Sequence, residues 1–189
     1  MLARVDAIDA DLAAIDREVE RHLAPFAHQI AQLDEVPGIG PVAAAAVIAE
    51  IGVDMTRFPT PAHLCSWAKF APGVKSSAGR TKGSGSTGHG NKYLARTLGE
   101  VAVNAGRTTT FLGARYRRIA RRRGSRRAVV AIGRSVLVVI WHLLSDPDAH
   151  FIDLGVDHHD RRRNTEAVKR QHVHQLEALG YHVTLEPAA

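Results

Sequence analysis

Residues 71–90, APGVKSSAGRTKGSGSTGHG, place Ser76 and Ser77 just ahead of Arg80 and Lys82. A serine hydroxyl attacks a phosphodiester phosphorus when its proton is removed and a guanidinium holds the developing charge. Asn91, Lys92 and Arg96 follow at the head of the next segment and add polar and basic groups. Composition by itself favours a flexible linker over a reactive loop, with six glycines, six Ser/Thr and almost nothing to bury. A second concentration of chemistry runs from Arg115 to Arg127. Its eight arginines in thirteen residues are Arg115, Arg117, Arg118, Arg121, Arg122, Arg123, Arg126 and Arg127. Leu112, Tyr116, Ile119 and Ala120 keep one helical face apolar, so the charges are expected to face outward. Such crowding repels itself unless a polyanion neutralises it and releases counterions, which points to nucleic acid; a solvated basic face is the bland alternative.

Val36-Pro37-Gly38-Ile39-Gly40-Pro41 lies between two helical patterns and fits a helix-hairpin-helix turn at about residues 31–51. Backbone N–H groups at Gly38 and Gly40, ahead of a helix start, can hold a phosphate without reading bases. A plain interhelical hinge uses the same glycines. Asp157-His158-His159-Asp160 and His172-Val173-His174 have metal-ligand residue types but no convincing set of partners, so no metal site is expected. Cys65, the single cysteine, reads as a small core residue and excludes an internal disulfide framework.

The elements that must position these groups are mostly helical. Leu2, Val5, Ile8, Leu12, Ile15, Val19, Leu23, Phe26, Ile30 and Leu33 recur in steps of three and four. That stripe predicts an N-terminal coiled-coil arm over 1–33, kinked at Pro25 and able to join subunits. Residues 34–187 form the remaining domain. An Ala-rich helix begins at Pro41, and a short helix follows Thr60-Pro61 with Leu64, Trp67 and Ala68 inward. Residues 71–90 are a long loop. Leu94, Leu98, Val101 and Ala105 share one helical face. An Arg-rich helical segment spans 109–127 with a stop at Gly124, and a buried central helix spans 128–144. A last helix spans 164–179, with Val168, His172, Leu176 and Leu179 inward, and Tyr181–Leu185 is expected to add one short strand. The fold class is mainly α, with at most one or two short strands.

The chain has 189 residues, 25 Lys+Arg against 19 Asp+Glu, and a pI near 10.0. Its start alternates charged with apolar residues, unlike a signal peptide. The apolar run 128–144 is interrupted by Arg134 and His142, so no membrane partner is expected. The expected setting is the cytoplasm, in association with the nucleoid.

Taken in order, Val36-Pro37-Gly38-Ile39-Gly40-Pro41, Arg57-Phe58-Pro59-Thr60, Leu64-Cys65-Ser66-Trp67-Ala68, Ala71-Pro72-Gly73, Ser77-Ala78-Gly79 and Gly90-Asn91-Lys92-Tyr93-Leu94 resemble one known pattern. It is that of the C-terminal domain of insertion-sequence transposases of the 110/116/902 group, and the tail Ala178–Pro187 is similar too. The resemblance implies a DNA recombinase whose serine becomes linked to a DNA phosphate. The family serine lies five residues after Pro72, which selects Ser77, with Ser76 as the alternative. Arg80 and Lys82 would then steady the phosphate. It also implies DNA as partner, a guide RNA in some members, and Mg²⁺ bound by an acidic N-terminal nuclease half. That half is expected to be missing here, since Met1 begins inside the arm and Asp6, Asp9, Asp11 and Asp16 are poor metal ligands. The other readings are a nucleic-acid-binding remnant without catalysis, and a basic scaffold that prefers structured RNA.

Overall fold

In the computed structural model, which describes residues 2–73, 75–77, 80–82, 87–161 and 165–185, Pro25 divides the long N-terminal stripe. Helix α1 runs Leu2–Leu23, a 3₁₀ turn covers Ala24–Phe26, and α2 runs Ala27–Asp34. The two halves of the stripe have different fates. No residue of α1 is buried, and Val5, Ile8, Leu12, Ile15 and Val19 face outward in a row. In α2, Leu33 is fully buried and Ile30 packs against the same core.

The chain then turns at Val36–Gly40 into α3, Pro41–Ile51, whose Ala44, Val47, Ile48 and Ile51 are buried. Gly38 is required twice over. Its φ is +94°, and a Cβ there would lie 2.5 Å from the Val101 carbonyl oxygen and 2.7 Å from Ala105 N. The turn is thereby pressed onto α5, Lys92–Gly106, which buries Leu94, Leu98, Val101, Ala102 and Ala105. Asn91 caps α5, its Oδ1 accepting from Tyr93 N at 2.9 Å and Leu94 N at 3.1 Å. Its amide also donates to the Glu50 carboxylate at the end of α3.

Helix α4, Pro61–Trp67, puts Leu64 and Cys65 in the core, followed by Ala68. Trp67 was expected inward and is not. It lies 44% exposed, tilted against the Phe58 ring with centroids 5.5 Å apart. In a helix of seven residues, the two consecutive inward positions go to Leu64 and Cys65, and the indole is left at the rim. Thr60 precedes Pro61, but its hydroxyl pairs with His63 Nδ1 at 2.8 Å instead of capping the backbone.

Helix α6, Phe111–Arg123, and α7, Ser125–Ser145, are separated by Gly124 at φ +86°. Arg126 and Arg127 therefore belong to the first turn of α7, so the basic segment is not one helix over 109–127. Helix α7 is the centre of the fold. By length and composition it could cross a membrane, yet it packs against α2, α4, α5 and α6 and buries Ala128, Ile132, Gly133, Val136, Leu137, Ile140 and Leu143. The segment after α7 is strapped back onto α2. The buried Gln32 amide donates to the carbonyls of Asp146, Pro147 and Ala149 at 3.2, 2.9 and 3.0 Å.

Two expectations about the tail fail. Tyr181–Leu185 is irregular rather than a strand, because a strand needs a ladder partner. The pairing among the described residues lies instead inside the predicted long loop, between β1, Lys75–Ser77, and β2, Arg80–Lys82. The short α8 is His158–Arg161, and α9 is Thr165–Ala178. In α9 Val168 is half-covered, while His172, Leu176 and Leu179 are exposed rather than inward. An amphipathic stripe is buried only where another element meets it, and α7 already fills the centre. The molecule is mainly helical.

Candidate nucleic-acid interface

The backbone brings Ser77 and Arg80 together. In the antiparallel ladder Ser77 is paired with Arg80, Ser76 with Thr81, and Lys75 with Lys82. Ser77 and Arg80 flank Ala78 and Gly79, which lie outside the described residues, as do positions 74 and 83–86 of the loop. Lys82 is at the far end of the ladder from Ser77, beside a second lysine.

The loop returns to the core at Gly90, where a Cβ would come within 2.9 Å of the Ala68 carbonyl oxygen. Lys69 adopts φ +62° at this junction, unusual for a residue with a side chain. The loop is thus anchored between the end of α4 and the cap of α5. Lys92 and Arg96 occupy the exposed start of α5. The Lys92 ammonium lies 5.0 Å from the Tyr93 ring centroid, and Arg96 Nε pairs with Glu100 at 3.0 Å. Arg96 is already partly neutralised, so it offers an anion less than Lys92 does.

At the interhelical turn the two glycines differ. Gly38 is packed against α5, whereas nothing lies within 4 Å of a Cβ built on Gly40. Gly40 precedes α3 and lines a recess of about 300 Å³ with Gly38, Pro41, Thr97 and Glu100. The Glu100 carboxylate in that lining opposes a phosphate unless Arg96 holds it.

The arginine cluster does not face outward as a unit. Arg121, Arg122, Arg123, Arg126 and Arg127 are exposed, but Arg115 and Arg118 are partly covered. Arg115 was expected on the charged outer face. Its Nε is instead buried with no hydrogen-bond partner, and burial, then the neighbouring Arg118 charge, pushes its guanidinium below the ordinary value. The reason is geometric: position 115 follows the buried Leu112 by three residues, so it turns back toward the inner face. Arg117 is committed to the fold, since its Nη1 donates to the carbonyls of Gly106 and Thr108 at 2.9 and 2.8 Å. Those carbonyls end α5 and begin the turn to α6, where a cation is electrostatically favoured.

A groove of about 480 Å³ runs along α6, lined by Phe111, Ala114, Arg115, Arg117, Arg118, Arg121, Arg122, Val156 and His159. Sequence reasoning weighed His159 only as a weak metal ligand and never placed Val156. The Phe111 amide donates to Asp153 Oδ1 at 2.9 Å, which brings the 153–159 segment against α6. His158 meets the Phe111 ring edge-on at 5.2 Å. A second, largely apolar cavity of about 490 Å³ shares Phe111 and Arg115, with Val138, Val139, Phe151 and Leu154 among its lining. Among the described residues no three His, Cys, Asp or Glu side chains gather to hold a metal ion. Cys65 is buried, its thiol is pushed up by burial, and it donates to the Arg134 carbonyl at 3.7 Å, as a core residue would.

Residues 30–118 match the model of the "Transposase IS116/IS110/IS902 family". Over 117 residues the chain is 32% identical to "Insertion element IS110 uncharacterized 43.6 kDa protein" of Streptomyces coelicolor, covering 60% of this chain and 28% of that protein. Over 142 residues it is 28% identical to "Probable family 20 transposase" of Pseudomonas aeruginosa, covering 73% of this chain and 41% of that protein. The aligned part of this chain thus spans less than half the length of either relative. The matched stretch runs from α2 through the interhelical turn, the Ser/Gly hairpin and α5 into the first arginines of α6. On that stretch, residues 30–118, the chain is similar to the IS116/IS110/IS902 family of transposases.

Proposed function

We propose that this chain is the serine-bearing, DNA-binding portion of an insertion-sequence transposase, with Ser77 as the nucleophile of strand exchange. The observation that carries the reading is the register that sets Ser77 opposite Arg80 inside the stretch matched by the family. In the first step Ser77 Oγ attacks a DNA phosphorus, losing its proton as the new P–O bond forms. The bond from phosphorus to the leaving deoxyribose oxygen breaks, and that oxygen takes up a proton. In the second step a hydroxyl from another strand attacks the phosphoserine and restores the serine, so the number of phosphodiester bonds is conserved. Arg80 and Lys82 balance charge on the phosphoryl oxygens. Lys92, Arg96, the arginines of α6 and α7, and the turn at Gly38 and Gly40 hold backbones without reading bases.

Mg²⁺ does not fit the residues described. Asp6, Asp9, Asp11 and Asp16 are strung along the exposed α1. The first and last are about 15 Å apart at 1.5 Å per residue. The reading assigns the metal to an acidic nuclease half outside this sequence. A guide RNA would meet the same basic surfaces, the α1 stripe would join subunits as a coiled coil, and DNA binding would place the assembly on the nucleoid.

The test is a suicide DNA substrate, incubated with the chain and the acidic half supplied separately, then resolved on a denaturing gel. The expected result is a covalent protein–DNA adduct that Ser77→Ala abolishes and Ser76→Ala retains. An adduct that persists in Ser77→Ala removes the nucleophile assignment. Binding without any adduct, with affinity falling steeply as salt rises, is the outcome for a non-catalytic binding module. The arginine-lined groove, which needs no reaction at the hairpin, is the feature that favours that second reading. A preference for structured RNA over duplex DNA would mark a basic scaffold instead.

A further inference from the structure

The eight arginines do not contribute alike. Arg117 is spent on two backbone carbonyls. Arg123, Arg126 and Arg127 stand exposed beyond the groove and do not line it. Arg115, Arg118, Arg121 and Arg122 converge on one concave volume of about 480 Å³, large enough for a phosphate with part of its nucleoside. Their spacing of three, three and one residues puts them on one side of α6. Among the described residues no carboxylate lines the groove, and none of these four arginines is paired with one.

The decisive group is Arg115. Leaving an arginine Nε buried without an acceptor costs free energy that a solvent-facing arginine avoids. Repulsion from Arg118 adds to that cost. An anion in the groove would relieve that repulsion, because it opposes the like charges of Arg115 and Arg118. Phosphate suits this setting, since guanidinium groups bind its oxygens in planar pairs.

We infer that the groove between α6 and Val156–His159 is a discrete seat for one phosphate of a nucleic-acid backbone, formed by Arg115, Arg118, Arg121 and Arg122. The inference rests on the nucleic-acid reading above and narrows it from a diffuse basic face to one site. A backbone phosphate is favoured over a free one because Arg123, Arg126 and Arg127 continue the basic surface past the groove and can meet the neighbouring phosphates. Phe111 and Val156 give an adjoining sugar or base an apolar surface.

The test titrates pyrophosphate into the full chain by isothermal calorimetry at low salt, then uses it to displace a labelled duplex oligonucleotide. One saturable site is expected, weakened about tenfold by Arg115→Gln and by Arg118→Gln, and less by Arg115→Lys, which keeps the charge but loses the fork. Arg57→Gln, which removes an equal charge elsewhere, should change pyrophosphate affinity less than about twofold. Pyrophosphate should release the oligonucleotide over the range that fills the site. Non-saturable binding, or an equal loss in Arg57→Gln, would overturn the seat in favour of diffuse attraction. Saturable pyrophosphate that leaves the oligonucleotide bound would overturn its assignment to a nucleic-acid backbone while leaving the preceding reading intact. An oligonucleotide that never binds, beside saturable pyrophosphate, would overturn that preceding reading and the backbone assignment together. Arg118, unlike Arg115, carries no buried nitrogen without a partner, so Arg118→Gln keeps the test decisive if Arg115→Gln fails to fold.

Discussion

Gly38 and Gly40 lie two residues apart in one turn and answer to different constraints. Alanine at Gly38 meets an unfavourable φ of +94° and backbone atoms of α5 at 2.5 and 2.7 Å, neither of which can move away cheaply. Gly38→Ala should cost about 3 kcal/mol in urea unfolding, and Gly40→Ala less than about 1 kcal/mol, since its φ of −116° and open surroundings suit any residue. An equal cost at both positions would contradict the close approach of the turn to α5. A second residue-scale test concerns His150 and Glu35, joined at 2.7 Å on the surface. The hydrogen bond from His150, then the Phe151 amide, holds the Glu35 carboxyl below its ordinary 4.5, and Glu35 raises the His150 imidazole above 6.5. The His150 contribution is complete below pH 6.5 and is lost as pH rises through the raised value. The Glu35 contribution is complete above pH 4.5 and is lost as pH falls through the lowered value. Stability from the pair is therefore greatest between these limits. Glu35→Gln should flatten the melting temperature against pH on both sides of that window, as measured by calorimetric scans.

At the scale of elements, the strap after α7 depends on one side chain. Gln32 satisfies three carbonyls with a single amide, and His28 adds a contact to the Pro147 carbonyl at 2.9 Å. Gln32→Leu keeps the volume but orphans the Ala149 carbonyl and takes one of two donors from the Asp146 and Pro147 carbonyls, so it should destabilise by about 1–3 kcal/mol. Hydrogen exchange should quicken at the Phe151 amide, which the Glu35 carboxylate accepts at 2.7 Å. Unchanged exchange there would mean that Glu35 alone holds the strap. The strap also matters for the arginine groove, because the Asp153 contact that brings the 153–159 segment to α6 follows only two residues later. Loosening at Gln32 should therefore weaken pyrophosphate binding without touching an arginine.

At the scale of the molecule, the apolar row of α1 has no covering surface among the described residues. Val5, Ile8, Leu12, Ile15 and Val19 are each about half exposed, against fully buried Leu33 on the continuation of the same stripe. Their three- and four-residue spacing is that of a coiled-coil seam. If α1 joins subunits, Ile8→Asp with Ile15→Asp should turn an oligomer into a monomer in light scattering. The melting of the core should move little, because α1 contributes no buried residue. A mass that stays unchanged would send the arm to another partner.

Periodicity alone located the helices wherever an amphipathic face meets the core. The buried row Leu94, Leu98, Val101 and Ala105, the break at Gly124 and the Asn91 start of α5 were all legible, because each depends on local chemistry within a few residues. The ordered motifs from Val36 to Leu94 were likewise enough to reach the family whose model matches residues 30–118. Tertiary structure decided what local chemistry cannot. It alone pairs Ser77 with Arg80, since a three-residue strand carries almost no periodic signal and exists only through its ladder. It turned Arg115 inward and left Trp67 and Leu176 outward, because burial depends on which distant element arrives at a helix face. Gln32 lies outside the apolar stripe of its helix, and only the return of the chain after α7 makes it a strap. Short-range spacing fixes where a helix lies, whereas the exposure of a side chain is settled by the elements that pack on it, for Gln32 by carbonyls over a hundred residues away.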